Sequence, residues 1–185
     1  NQHNEALVDI REIINDPRLI WDLQEICIID PYLSSKDILD TVVFCEKRDI
    51  HIHCLTDLHT IVKNKEASGE ILEIEASESS KFESAKIKFR QLLEAALPTD
   101  CDIDLSFRTV YSDYGSRFHD RYLILKYKIN KTRVWSLGTS VNSIGKSHHI
   151  IQIVEAPTLI ESFFDKVWHE TDFQVCKIYE STDYK

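Results

Sequence analysis

The 185-residue chain has little of what breaks or spans: four glycines, four prolines and no methionine. So few Gly and Pro exclude collagen-like and low-complexity architectures and argue against long disordered linkers. Nowhere does an apolar run approach the roughly 20 residues a bilayer-spanning helix needs, so no membrane span is expected. The five cysteines, Cys27, Cys45, Cys54, Cys101 and Cys176, are odd in number and widely spaced. That pattern supports neither a disulfide framework nor a paired-cysteine zinc site, and it suits a reducing cytoplasm. Basic excess is lacking too. The formal net charge of −9 counts against broad affinity for polyanions, though not against a local basic pocket. The lack of methionine, at position 1 as elsewhere, reads as a domain taken from a longer protein with other domains.

What is present is a globular composition, 43% hydrophobic and 10% aromatic, at a length that buries one core. Residues 1–185 therefore read as a single domain. Asn4 to about Trp21 is amphipathic, with Leu7, Ile10, Ile13 and Ile14 at helical spacing and a break at Asp16-Pro17. Ile26-Cys27-Ile28-Ile29, ending in Asp30-Pro31, has the pattern of a strand buried on both faces. Ser34 or Ser35 can cap a helix over Lys36–Lys47, and Ile50–Leu55 is a second buried strand, which makes a βαβ unit.

Leu58–Ser80 has no clear period; Ile71 and Ile74 suit a helix or an edge strand. Ser79–Leu97 returns to helical spacing until Pro98, with Lys81, Lys86, Lys88 and Arg90 expected on a solvated face. Ile103–Val110 alternates as a third strand, and Tyr111–Arg117 is a polar loop. Leu123–Leu125 and Val134–Leu137 form a hairpin across a polar connection, His149–Val154 a further strand, and Ala156-Pro157 opens a helix through Trp168. Val175–Tyr179 can add an edge strand. The fold class expected is α/β, a mixed, largely parallel sheet flanked by helices.

Antiparallel pairing of the hairpin would bring His119 and Arg121, at the start of its first strand, beside Ser140 and Asn142, after its second. An imidazole, a permanent cation and two neutral hydrogen-bonding groups together suit a phosphate ester: imidazole attacks phosphorus and the guanidinium holds the non-bridging oxygens. Alternation would turn His119 and Arg121 to one face, and Ser140 and Asn142 likewise. Each also has an ordinary structural reading: a surface His, a strand-edge ion pair, and turn chemistry for Ser and Asn. Lys126, Lys128, Lys131, Arg133 and Lys146 read as a basic patch near this place, or as a solvated hairpin. A metal held by His51, His53 and Asp57 has no evident further ligand, so no metal or other cofactor is expected.

The same residues resemble one half of the phospholipase D superfamily, whose motif is His-x-Lys followed by Gly-Ser-x-Asn. Here the elements read His119-Asp120-Arg121 and Thr139-Ser140-Val141-Asn142, with Lys126 where the family has an Asp. A bacterial subgroup with His-Asp-Arg and a Gly-x-Ser-x-x-x-x-Gly-Lys run is closer, matched by Gly138 to Lys146. The resemblance implies a phospholipase D-like half with His119, Arg121, Ser140 and Asn142 catalytic and Thr139, Lys146 and His149 binding substrate. It implies a homodimer, because family sites are built from two halves. It further implies a metal-independent phosphodiesterase, most naturally a nuclease working through a phosphohistidine, in the setting of an effector domain in phage defence. The alternative is a degenerate, non-catalytic module that dimerises or binds a phosphorylated ligand.

Overall fold

The computed structural model describes residues 2–57, 78–97, 103–110, 118–129, 131–146, 150–172 and 176–181, with side chains undescribed at 78–82 and 85. The elements are α1 (Gln2–Ile14), β1 (Leu23–Ile29), α2 (Ser35–Asp40), β2 (His51–Asp57), α3 (Glu78–Ala96), β3 (Asp104–Val110), β4 (Tyr122–Tyr127), β5 (Lys131–Ser136), β6 (Gln152–Ile153), α4 (Pro157–Glu170) and β7 (Lys177–Glu180). The seven strands form one sheet in the order β6-β5-β4-β1-β2-β3-β7.

The expectation of a largely parallel sheet is corrected here. Only β1–β2 and β2–β3 pair in parallel; β1–β4, β4–β5, β5–β6 and β3–β7 are antiparallel. The physical reason is that β4 returns to the far side of β1 running the opposite way, and a hairpin then extends the sheet from it. Apolar periodicity identifies a strand but carries nothing about its direction.

Strand alternation divides the core into two layers. Ile26, Ile28, Ile52, Cys54, Leu105, Phe107, Leu123 and Leu125 pack with Ala6, Leu7, Ile10 and Ile14 of α1, Ile38 of α2 and Phe89 and Leu93 of α3. On the opposite face Cys27, Ile29, Leu55, Val110, Ile124 and Val134 pack with Phe164 and Val167 of α4. Pro157 sits in the first turn of α4, where its missing N–H costs nothing.

Several boundaries moved for local reasons. α1 ends at Ile14, before Pro17. α2 opens with a full capping box, Ser34 accepting from Asp37 N while the Asp37 side chain accepts from Ser34 N. It stops at Asp40 rather than Lys47, because Thr41 leaves helical geometry and Val42–Phe44 tightens into a 3-10 turn. The strand expected over His149–Val154 shortens to Gln152–Ile153. Lys86 is buried rather than solvated. The readings over Leu58–Ser80 up to residue 77, and over Tyr111–Arg117, lie outside the described residues.

Gly145 shows where the chain has no room. Its φ is +76°, and a Cβ there would lie 2.4 Å from Gln2 O and 2.5 Å from His3 Cα. Backbone at that distance cannot rotate away as a side chain can. Gly145→Ala is therefore expected to destabilise the protein by about 2–3 kcal/mol, from left-handed strain plus displacement of α1. Urea unfolding measures this; an unchanged midpoint would contradict the close approach of α1 to this loop.

Candidate functional site

Antiparallel β4 begins where parallel β1 ends: Ile29 pairs with Tyr122, and Tyr122 with Ser136. The ends of β1 and β2, the start of β4 and the loop after β5 thus meet at one edge of the sheet. Ligands of open α/β sheets bind outside the carboxyl ends of their parallel strands.

Asp30 organises this edge. It is fully buried, and its carboxylate accepts hydrogen bonds from Tyr32 N at 2.8 Å, Ser140 Oγ at 2.8 Å and Val141 N at 2.7 Å. Burial pushes its pKa up, against the three hydrogen bonds and the nearby Arg121 charge that favour ionisation. Ser140 in turn accepts a long contact from Arg121 Nε at 3.4 Å, and the guanidinium lies 5.5 Å over the Tyr32 ring. Asp30, Ser140 and Arg121 therefore form a relay that holds one cation at the edge. Among the described residues the two terminal nitrogens of Arg121 make no hydrogen bond or ion pair. Arg121 is half-buried and His119, two residues earlier, is exposed.

Ser140 and Asn142 do not point together as alternation suggested. Val141–Ser143 is a 3-10 turn, so a period of two does not apply. Ser140 turns inward to Asp30, while Asn142 Nδ2 donates to Tyr32 O at 3.1 Å and its Oδ1 accepts from Ser143 Oγ at 2.7 Å. Both side chains fasten this turn to the loop after β1. Thr139 is half-buried on the same loop, Lys146 is exposed at its end, and His149 lies outside the described residues. Of the expected set, the described contacts bring together Arg121 and Ser140 and tie Asn142 to the adjoining loop at Tyr32; His119 lies two residues before Arg121, and Thr139 and Lys146 flank the turn in sequence.

The expected basic patch is not at the site. Lys126, Lys128, Lys131 and Arg133 lie towards the hairpin's far end, between three and six residues along the strands from the level of Tyr122, about 10–20 Å away. Lys126 instead sits under α4, 3.1 Å from Glu25 Oε1 and 2.8 Å from Asp165 Oδ1.

That ammonium is part of a second polar cluster, which sequence reasoning missed. Glu25 Oε1 also accepts from Cys27 Sγ at 2.9 Å and lies 3.0 Å from His53 Nδ1. The three side chains come from adjacent parallel strands, Cys27 and His53 being direct cross-strand partners. Among the described residues these make the only group of three His, Cys, Asp or Glu ligand atoms close enough to share an ion. The signal was in the sequence as Glu25-x-Cys27 and His51-x-His53, polar or soft residues at a period of two inside apolar strands. The set Glu25, Cys27 and His53 is not the one weighed from the sequence, which paired His51 and His53 with Asp57.

No protein-family model matches the chain, and no curated protein matches it either. The site is thus read from its own chemistry.

Two expectations follow. Asp30→Ala would orphan the Ser140 hydroxyl and the Val141 and Tyr32 amides, and is expected to cost about 3 kcal/mol by chemical denaturation. A loss below about 1 kcal/mol would show that the relay is not what holds this edge. The second concerns acid. Burial alone would raise Glu25, but hydrogen bonds from His53 and Cys27 and the Lys126 charge outweigh it and hold its pKa at about 2. A carboxylate depressed in the folded state lends stability above its unfolded pKa and loses it as pH falls towards the folded value. Stability should therefore drop between the ordinary Glu range and about pH 2, and Glu25→Gln should flatten that slope. Urea midpoints across that window measure it, and an identical slope in the variant would refute the assignment.

Proposed function

We propose that the edge formed by Asp30, His119, Arg121 and Ser140 is a phosphodiester site of the phospholipase D kind, and that the protein is a metal-independent nuclease. The observation that carries this reading is the relay from a fully buried carboxylate through Ser140 to Arg121, beside an exposed histidine. A guanidinium held through Nε, whose terminal nitrogens make no hydrogen bond among the described residues, is suited to two-point recognition of phosphate oxygens.

In this mechanism His119 attacks phosphorus, an N–P bond forms and the P–O bond to the leaving group breaks. The leaving oxygen takes a proton from a second imidazole. Water, deprotonated by that imidazole, then attacks phosphorus, breaks the N–P bond and frees His119. Arg121 stabilises the charge on the equatorial oxygens. The chain carries one His-x-Arg element, so the second imidazole is assigned to His119 of another copy across a two-fold axis. Nucleic acid is the preferred substrate class. A lipid surface is less favoured, since the amphipathic α1 turns its apolar residues Leu7, Ile10 and Ile14 into the core. A cytoplasmic effector domain of a longer protein, such as one acting against phage, is the setting this reading suits.

A second reading has its own observation. Ser140 and Asn142 are spent on Asp30 and Tyr32 O, so neither is free to clamp substrate without breaking a fold contact. That favours a module that binds a phosphorylated ligand, or pairs copies of its parent, without cleaving.

The readings separate in one experiment. Cleavage of single- and double-stranded DNA, RNA and a chromogenic phosphodiester should persist in excess EDTA, be inhibited by vanadate, and vanish in His119→Ala with folding intact. Sedimentation should give a dimer at tens of micromolar. Activity that survives His119→Ala defeats the phosphohistidine mechanism. Inactivity on all substrates together with saturable phosphate binding lost in Arg121→Ala establishes the binding module instead.

A further inference from the structure

The face of the sheet under α4 is apolar where Phe164 and Val167 cover it. Towards the N-terminal ends of β1 and β2 it turns polar: Glu25, His51 and His53, Lys126 on β4, and Ser106 and Arg108 on β3. Trp168 of α4 closes over this region, its ring stacked on His53 at 4.4 Å between centroids. Arg108 fastens Trp168 in place. Its guanidinium lies 4.0 Å over the Trp168 ring, donates to Trp168 O at 3.1 Å, and pairs with Glu180 at 3.1 Å. The side chains beneath are therefore held by packing on one side and by the sheet on the other.

We propose that Glu25, Cys27 and His53 form a binding site for a thiophilic divalent cation, zinc being the ordinary one. Three observations converge. The donor set is one carboxylate oxygen, one sulfur and one imidazole nitrogen, the mixture zinc accepts and calcium or magnesium does not. The three donor atoms lie within 4.8 Å of one another, from three side chains on two rigid, hydrogen-bonded strands. Ligands of a tetrahedral zinc sit roughly 3.3–3.7 Å apart, so the 2.9 and 3.0 Å contacts to Glu25 Oε1 need open by only about half an ångström. The charges also balance. Ionised Glu25 and a Cys27 thiolate neutralise the dication, while Lys126 keeps Asp165 as its partner at 2.8 Å and gives up Glu25. Binding releases the Cys27 thiol proton to solvent. Three protein ligands leave a fourth position for water.

This site lies on the opposite face from α1 and α2 and towards the other end of the strands from His119, so it is independent of the phosphodiester reading. Its role is to lock β1 to β2 beneath α4.

Cobalt(II) is the probe, because it takes zinc's geometry and reports sulfur ligation by absorption. Metal-free protein titrated with cobalt should bind one equivalent, with a thiolate-to-cobalt band in the near ultraviolet and the intense visible bands of a four-coordinate ion. Zinc should displace both. Cys27→Ser should remove the thiolate band, while Glu25→Gln and His53→Ala should each weaken binding about tenfold or more. Lys126→Met, which removes the competing cation, should tighten it. No saturable cobalt spectrum on folded protein overturns the proposal, and so does a thiolate band unchanged in Cys27→Ser. If Cys27→Ser does not fold, wild-type affinity in both Glu25→Gln and His53→Ala overturns it, as does binding no tighter in Lys126→Met.

Discussion

The edge that carries the candidate chemistry depends on one buried carboxylate. Asp30 accepts from the loop that follows its own strand and from the turn that follows β5, more than a hundred residues later. A fully buried carboxylate is tolerated because each of these donors pays back part of its lost hydration. Without them the 3-10 turn at 141–143 would keep the Asn142 bond to Tyr32 O and the buried Val141, and the sheet would still hold the start of β4 to β1, but the buried donors of Ser140, Val141 and Tyr32 would be left unpaired. Thr56 adds a neutral strut from β2, its hydroxyl donating to Leu33 O at 3.2 Å. The result is an edge whose backbone is fixed from within, with His119 exposed and Arg121 half-buried just before β4.

The same sheet treats charge in two ways. On the α1–α2–α3 side the strands present an almost unbroken aliphatic surface. On the α4 side the apolar part is narrow, and a band of paired charges continues it, Lys126 between Glu25 and Asp165, and Arg108 between Glu180 and Asp172. Such pairs contribute little net stability against desolvation, but removing Lys126 or Arg108 leaves the mostly buried Glu25 or Glu180 short of a partner, whereas Asp165 and Asp172 reach solvent. Their effect is on position: they set where α4 lies and hold Trp168 against His53. A chain with a formal charge of −9 thus places two of its cations, Lys126 and Arg108, in ion pairs on this face of the sheet.

The departures from the phospholipase D pattern take on physical meaning in this setting. Lys126, where that pattern has an acid, is turned away from the candidate site and belongs to the α4 cluster. Arg121 in place of Lys suits the relay, since Nε can reach Ser140 while the terminal nitrogens take no hydrogen-bond partner among the described residues. Ser140 and Asn142 serve the fold as fasteners of the turn, which explains their presence whether or not a substrate is cleaved.

Much of this architecture was legible in the amino-acid order. The apolar runs located β1, β2 and β3 to within three residues, Pro157 marked the start of α4, and the cap of α2 is Ser34, one of the two serines that could supply it. The hairpin reading brought Arg121 beside Ser140, and the structure keeps that contact. These features are local: period, propensity and capping act within a few residues, so the chain alone determines them. Strand direction and order, the inward turn of Ser140 to Asp30, the transfer of Lys126 to the α4 face and the meeting of Glu25, Cys27 and His53 were decided by the tertiary structure alone. Each rests on which strand lies beside which, and that follows from the whole core closing at once, not from the pattern within any one segment.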